Sequence, residues 1–177
     1  GEVDAISAFP SSELDAARKE FTRDLRLSPL LSSMYLVFNT RRPPFNDVRV
    51  REAVALAIDQ KVLVGPVQRA ENRASTSFVP ALVSEYEPQS MPGAELARDA
   101  RLERARALLA AAGHDAAQPL TLTLRGFSGS ETKRTLLAIA GFLDSIGVEA
   151  RLQQSELKVH FADLRRGDFD VALAGWF

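Results

Sequence analysis

Arginine and tryptophan are the side chains best placed to bind a ligand, because they stand at the ends of predicted elements. Arg165 and Arg166 close a predicted helix, where a guanidinium can bind a carboxylate through paired hydrogen bonds. Basic residues at that position also complement the helix dipole. Trp176, the only tryptophan, follows Gly175 at the end of a predicted strand. It is either a stacking surface at a ligand crevice or a core residue.

The stretch RGFSGSE, residues 125–131, lies between a predicted strand and a predicted helix. Gly126, Gly129 and Ser130 could cradle an anion at the start of that helix. The stretch lacks the lysine of a P-loop and the third glycine of a dinucleotide-binding turn. An ordinary connection between strand and helix is therefore the favoured interpretation.

His114 and His160 are the only imidazoles, and the sequence has no cysteine. With no partner at a spacing of four residues they form no recognisable metal-ligand set. We expect a solvated His114 and a half-buried His160. No nucleophile elbow, zinc-protease motif or kinase motif is present. The sequence thus predicts neither an enzyme nor a metal or cofactor.

The elements that position these residues are clearest between residues 120 and 176. Alternating apolar residues and helical repeats give the order strand, helix, strand, helix, strand. Strands joined by helices favour parallel pairing with right-handed crossovers. The predicted fold class is α/β, with a mixed, largely parallel sheet flanked by helices.

Upstream elements are predicted from local patterns. A short strand is expected over residues 3–8, and the apolar run at residues 35–38 fits a strand buried on both faces. A helix follows over residues 47–59, with Asn46 or Asp47 as its cap. Ser128 and Glu131 have the spacing of a capping box. Residues 71–93 are rich in Ser, Pro and Glu and predict a long irregular segment.

Length and charge limit the class of protein. At 177 residues and 46% hydrophobic content, one globular unit is the default expectation. The 22 basic and 23 acidic residues give a net charge of −1. This balance provides no electrostatic footprint for nucleic acid.

Several segments together resemble the dipeptide, oligopeptide and nickel class of ABC-transporter solute-binding proteins. FNTRRPPFNDVRVREAVALAIDQ resembles the family's signature, in which a strand ending in Asn leads through a Pro-Phe-x-Asp turn to an Arg-Val-Arg helix. GEVDAIS, TSFVP, RARALLAAAGH and GDFDVALAGWF resemble further family segments in the same order. QSELKVHFADLRRGDFDVALAGW is most similar to the oligopeptide-binding branch.

The resemblance implies one lobe of a two-lobed, noncatalytic receptor with a periplasmic-binding-protein-like fold. Residues 1–28 would belong to the hinge and first-lobe side, and residues 29–177 would form the second ligand-binding lobe. The implied partners are a peptide or other small solute, an ABC permease in the membrane and the remaining lobe of the same polypeptide. The implied location is the periplasm, or the extracellular side with a membrane anchor.

The resemblance also implies which residues surround the ligand. Two departures bear on specificity: Leu157 replaces a family tryptophan, and Leu173 replaces the arginine before Ala-Gly-Trp. Arg165 and Arg166 remain candidate partners for a carboxylate, whereas Arg49 and Arg51 are expected to be structural. The implied cleft residues are Tyr35, Val37, Leu157, Phe161, Leu164, Leu173, Gly175 and Trp176.

Two alternatives remain open at this point. A cytoplasmic transcriptional regulator can carry a solute-sensing domain similar to this family. A receptor of the same fold can also take a nonpeptide solute, such as a nickel complex, a sugar, an opine or an antibiotic.

Overall fold

The structure is a computed structural model that describes residues 11–28, 30–68 and 72–176. The strand predicted at residues 3–8 lies outside these residues. The strands are β1 (Ser33–Phe38), β2 (Leu120–Phe127), β3 (Val148–Ser155) and β4 (Val171–Trp176). The helices are α1 (Leu14–Glu20, after a 3-10 turn at Ser11–Glu13), α2 (Val48–Ala57), α3 (Gln60–Val62, continued by a π-helical turn over Leu63–Val67), α4 (Arg98–Ala111), α5 (Ser130–Asp144) and α6 (Leu157–Arg166).

The strands form one four-stranded sheet in the order β1-β4-β2-β3. β2 pairs in parallel with both β3 and β4, and β1 pairs antiparallel with β4. The chain thus passes from β2 through α5 to β3 and returns through α6 to β4 on the other side of β2. This arrangement confirms the predicted mixed, largely parallel sheet flanked by helices.

The two faces of the sheet differ in what covers them. We call the face covered by α2, α4 and α5 the inner face, because it carries the hydrophobic core. The opposite face, on which α6 packs through Arg125, is the outer face. Strand alternation assigns each residue to one of them. The inner face includes Leu122, Leu124, Val148, Val171 and Leu173.

The prediction that residues 35–38 are buried on both faces is wrong. β1 is at the edge of the sheet, and all four residues are only half-buried. Leu36 and Phe38 pack against the core, whereas Tyr35 and Val37 point to the outer face. A continuous apolar run therefore does not require two covered faces, since apolar side chains also occur on the exposed face of an edge strand.

The connector before α2 is held by its own polar residues. The Asp47 side chain caps the helix by accepting a hydrogen bond from the Arg49 backbone N–H at 2.8 Å. Arg49 also donates to the Ala111 carbonyl at 2.7 Å, and Arg51 donates to the Phe45 carbonyl at 2.7 Å. The structural role predicted for Arg49 and Arg51 is confirmed. The side-chain hydrogen bond from Arg49 lowers the pKa of Asp47 to about 2.

The predicted capping box at α5 is wrong. Gly129, with φ of 151°, is the N-cap, and no side chain caps the helix. Glu131 instead accepts hydrogen bonds from the Ser11 backbone N–H at 3.0 Å and from Ser11 Oγ at 2.5 Å. Those two hydrogen bonds lower the pKa of Glu131, although burial opposes them. Glu131 therefore joins the N-terminal segment to α5.

Gly126 has a packing role that supports the ordinary strand-to-helix connection. A Cβ atom at this position would lie 2.7 Å from Thr132 Cγ2 and 3.0 Å from Leu136 Cδ1. The glycine thus permits α5 to approach β2 closely. This packing explains Gly126 without an anion.

Residues 72–97 contain no helix or strand, which confirms the predicted irregular segment over its described part. In the described ranges of the chain, no helix combines the length and the apolar character needed to cross a membrane. Those ranges also contain no group of three or more His, Cys, Asp or Glu side chains arranged to hold a metal ion.

Candidate functional site

Trp176 lies on the outer face at the carboxyl end of β4. It pairs with Ser33, two residues along from the Tyr35–Ala174 pair, so the Trp176 and Tyr35 side chains share that face. Trp176 is 51% exposed, and the core alternative is therefore wrong. Val37, opposite Ala172, continues the same row along β1.

Phe78 joins this surface from the irregular segment. Its ring packs edge-on against Tyr35, with ring centroids 4.9 Å apart. Ser33 Oγ donates a hydrogen bond to the Phe78 carbonyl at 2.6 Å, which fixes the segment at the end of β1 that faces Trp176. Sequence reasoning did not identify Phe78 as a site residue, and its sole signal was the resemblance of TSFVP to a family loop.

An apolar stripe on α6 adds a second exposed surface. Leu157, Phe161 and Leu164 follow each other at spacings of four and three residues, so they share one side of the helix. Leu157 and Phe161 are about half exposed, and Leu164 is half-buried. The fully buried residues of α6 are instead His160 and Asp163.

Asp163 is the centre of a buried polar cluster between α6 and the sheet. Its carboxylate accepts hydrogen bonds from Arg125 on β2 and from Arg166 in its own helix. Arg125 also donates to Gln153 Oε1 on β3 at 3.3 Å. The hydrogen bond from Arg125 is the main reason that the pKa of Asp163 lies below its usual range, although burial raises it.

The predicted carboxylate partners Arg165 and Arg166 differ in their surroundings. Arg166 pairs with Asp163, whereas Arg165 is exposed and borders a shallow cleft of about 190 Å³. Both lie in the last turn of α6, where a positive charge complements the helix dipole. Asn39 also lines the cleft and donates to the carbonyls of Gly167 and Phe169 at 2.8 and 3.0 Å.

The expectation of a half-buried His160 is wrong, since the ring is fully buried. Its Nε2 atom lies 2.9 Å from the Leu173 carbonyl, which can only accept, so Nε2 is the donor of this hydrogen bond. The Nδ1 atom is buried and has no partner in the described part of the chain. Phe127 and Phe161 pack edge-on against the ring. His114 is partly buried at the end of α4.

Leu173 and Gly175 are separated from the other predicted site residues. The Leu173 side chain is 6% exposed and belongs to the hydrophobic core. Gly175 pairs with Met34 and alternates with Trp176, so it follows the inner-face row. The structure brings Tyr35, Val37 and Trp176 together on the outer face, and α6 presents its stripe separately.

A parallel sheet with exposed aromatic and apolar side chains near the carboxyl end of a strand is typical of a ligand-binding α/β domain. Comparison with known families agrees with this class. All of residues 1–177 match the family described as bacterial extracellular solute-binding proteins, family 5 Middle. The chain belongs to this family.

Similarity to individual proteins agrees with the family match. The chain is 32% identical over 178 residues to the periplasmic oligopeptide-binding protein OppA of Salmonella typhimurium, with 99% of the chain and 33% of that protein covered. It is 28% identical to the periplasmic murein peptide-binding protein MppA of Escherichia coli, with the same coverage. It is 31% identical to a probable deoxycholate-binding periplasmic protein, YgiS, of Escherichia coli, again covering 99% of the chain and 33% of the relative.

Solved structures confirm the fold. The structure of Burkholderia pseudomallei OppA superposes with a TM-score of 0.93 at 29% identity, covering 100% of this chain and 35% of that one. The murein tripeptide-binding protein MppA of Escherichia coli superposes with a TM-score of 0.91 at 28% identity, covering 99% and 35%. The chain spans about a third of the length of these relatives.

Proposed function

We propose that this chain is a solute-binding lobe of an ABC-transporter receptor, noncatalytic, and that its solute is an oligopeptide held in a cleft between two lobes. The remaining lobe of the same polypeptide would close over the outer face. The receptor would act in the periplasm, or at the extracellular surface with a membrane anchor, and would deliver its solute to a permease.

The exposed apolar surface of the outer face carries this proposal. Tyr35, Phe78 and Trp176 lie at one end of the β1–β4 pair, and α6 exposes Leu157 and Phe161. Exposed apolar side chains at the carboxyl ends of α/β strands commonly mark a binding site. The family membership and the peptide-binding names of the OppA and MppA relatives support a peptide as the solute.

The surface also indicates how a peptide would be recognised. Aromatic and aliphatic side chains suit side-chain pockets with broad specificity, whereas main-chain hydrogen bonds would provide much of the affinity. Arg166 is engaged by Asp163, so Arg165 is the better candidate of the two for a peptide carboxylate.

A second candidate is an apolar, nonpeptide solute. The stripe of α6 carries leucine at position 157, where the resemblance places a family tryptophan. The exposed aliphatic side chain of Leu157 beside Phe161 fits an apolar, steroid-like molecule as well as a peptide side chain. The similarity to the probable deoxycholate-binding protein supports the same candidate.

The test is mass spectrometry of the small molecules that co-purify with the full-length protein and are released by denaturation. We expect heterogeneous short peptides, whose masses would also give the preferred length. A single nonpeptide compound would reject the peptide assignment and favour the second candidate. If the cleft is empty, thermal unfolding with a pool of tripeptides and tetrapeptides decides, since a peptide receptor is stabilised by mass action.

A further inference from the structure

Helix α6 is attached to the sheet in an unusual way for an amphipathic helix. A helix on a sheet normally buries its apolar stripe and exposes its polar one. In α6 the buried residues are His160 and Asp163, whereas Leu157, Val159 and Phe161 are each 43–52% exposed. The attachment therefore depends on hydrogen bonds and charge as well as on apolar area.

These polar contacts have defined directions. The Asp163 carboxylate accepts a hydrogen bond from Arg125 of the interior strand β2, and His160 Nε2 donates to the Leu173 carbonyl of β4. Hydrogen bonds depend steeply on angle and distance, whereas apolar contacts tolerate sliding and rotation. Two such contacts, three residues apart on one helix, fix its rotation and its position along the sheet.

Contacts within the sheet hold Arg125 in place independently of α6. It is 9% exposed, pairs with Ala172 on β4, and donates to Gln153 on β3. Arg125 is thus a buried cation, and a buried cation requires a partner such as the Asp163 carboxylate.

We infer that Arg125 and Asp163 are positioning residues that set the orientation of the apolar stripe of α6 toward the solute. They act through the helix and do not touch the solute. The inference rests on the proposed function, because the stripe is assigned there to the solute-binding surface. It adds that specificity depends on a buried ion pair on the side of the helix away from the ligand.

The test compares two charge-neutralising variants of the full-length protein. Asp163→Asn keeps the size of the side chain but removes the carboxylate that balances Arg125. Glu52→Gln is the matched control, because it also neutralises a carboxylate in an ion pair. Glu52 pairs with Arg104 at 2.5 Å and joins α2 to α4, the helices that cover the inner face. Asp163→Glu restores the carboxylate on a longer stem.

Hydrogen exchange of the ligand-free protein is the first measurement. We expect the amides of α6 to exchange at least tenfold faster in Asp163→Asn, with α5 unchanged, and to recover in part in Asp163→Glu. Glu52→Gln should leave α6 unchanged. Equal exchange in α6 of the wild type and Asp163→Asn, or a uniform increase in every helix, would overturn the inference.

Calorimetric binding of two probe tripeptides, Ala-Phe-Ala and Ala-Lys-Ala, is the second measurement. We expect the wild type to prefer the phenylalanine peptide, and Asp163→Asn to reduce this preference at least fivefold while Glu52→Gln retains it. An unchanged preference in Asp163→Asn would overturn the link to specificity. If the wild type binds neither these peptides nor the peptide pool, the proposed function fails, and hydrogen exchange alone still decides whether the pair positions α6.

Discussion

The two faces of the sheet are built by different kinds of contact. The inner face carries an apolar core in which α2, α4 and α5 cover Leu122, Leu124 and Val148. The outer face carries α6 on a polar cluster, and at one end it leaves Phe78 and Trp176 exposed beside a half-buried Tyr35. The inner face buries the apolar area that stabilises the fold, and the outer face leaves apolar side chains exposed, which the proposed function assigns to solute binding.

This difference shows how a fold can keep apolar side chains exposed on one face without losing its arrangement. Apolar contacts stabilise in proportion to the area that they bury, so a face reserved for a ligand cannot use the same side chains for attachment. Directional polar contacts such as Arg125–Asp163 attach α6 while its apolar stripe stays exposed. Under the proposed function, stability and recognition thereby depend on separate residues.

The largest expected effect is a difference in the free energy of unfolding between a substitution on the inner face and one on the outer face. Leu124→Ala on the inner face should lower the free energy of unfolding by about 2–5 kcal/mol, because Leu124 is fully buried and the substitution leaves a cavity. Leu157→Ala on the outer face should cost about 0.5 kcal/mol or less, since Leu157 is 52% exposed. Urea denaturation of the full-length protein measures both values. Equal losses would contradict the division of roles.

The second expected effect is on ligand affinity, which a substitution on the outer face should lower and a substitution on α5 should not. Trp176→Ala should weaken ligand binding by about 1–3 kcal/mol, because a buried aromatic ring in a complex is a common anchor. Calorimetry with the co-purified ligand measures the change. Leu137→Ala is a suitable control, since Leu137 is exposed to the same degree but lies on α5. An unchanged dissociation constant for Trp176→Ala would remove Trp176 from the site.

Most of the inner face was predictable from sequence, because its residues follow the patterns of burial. Leu120, Leu122 and Leu124 alternate along β2, and the helical repeat of α5 follows them. Strands joined by helices also predicted the parallel pairing correctly. Each of these inferences uses only neighbours in sequence and the hydrophobic effect.

The outer face was less predictable, because its contacts join residues far apart in sequence. Arg125, the partner of Asp163 on the sheet, is 38 residues away from it, and Ser33 donates to a carbonyl 45 residues away. No local pattern marks a buried His160, whose ring nitrogen donates to a carbonyl of β4. The positions of Tyr35 and Trp176 came from the family resemblance and from strand alternation, and their contact with a ligand stays a prediction.

Acid should act on the polar contacts and leave the apolar ones unchanged. The pKa of Asp47 is lowered to about 2, and that of Asp163 is also lowered. A lowered pKa means that stability from the ionised carboxylate is complete above the unfolded value near 3.8 and is lost as the pH falls toward the folded value. Stability should therefore decline from about pH 4 toward pH 2.

Variants identify the source of this acid dependence. Asp47→Asn and Asp163→Asn should each flatten the decline in the free energy of unfolding between pH 5 and pH 2.5, an interval chosen to span the titration. Leu124→Ala should lower stability by a similar amount at every pH, because it removes no titrating group. If both Asn variants keep the full slope, other carboxylates such as Glu131 cause the decline.

The smallest expected effect belongs to the exposed counterpart of the Arg125–Asp163 pair. Glu52 and Arg104 join α2 to α4 at 2.5 Å, but their side chains are 25% and 44% exposed, against 7% and 11% for Asp163 and Arg125. Solvent screens the attraction between exposed charges, and such pairs contribute about 0–1 kcal/mol. A double-mutant cycle of Glu52→Gln and Arg104→Gln should give a coupling energy in this range that decreases in high salt.

The corresponding cycle at Asp163 and Arg125 should keep most of its coupling in high salt, because burial excludes the screening ions. Equal salt dependence of the two cycles would show that the outer-face pair is not protected from solvent and cannot hold α6 in a fixed orientation.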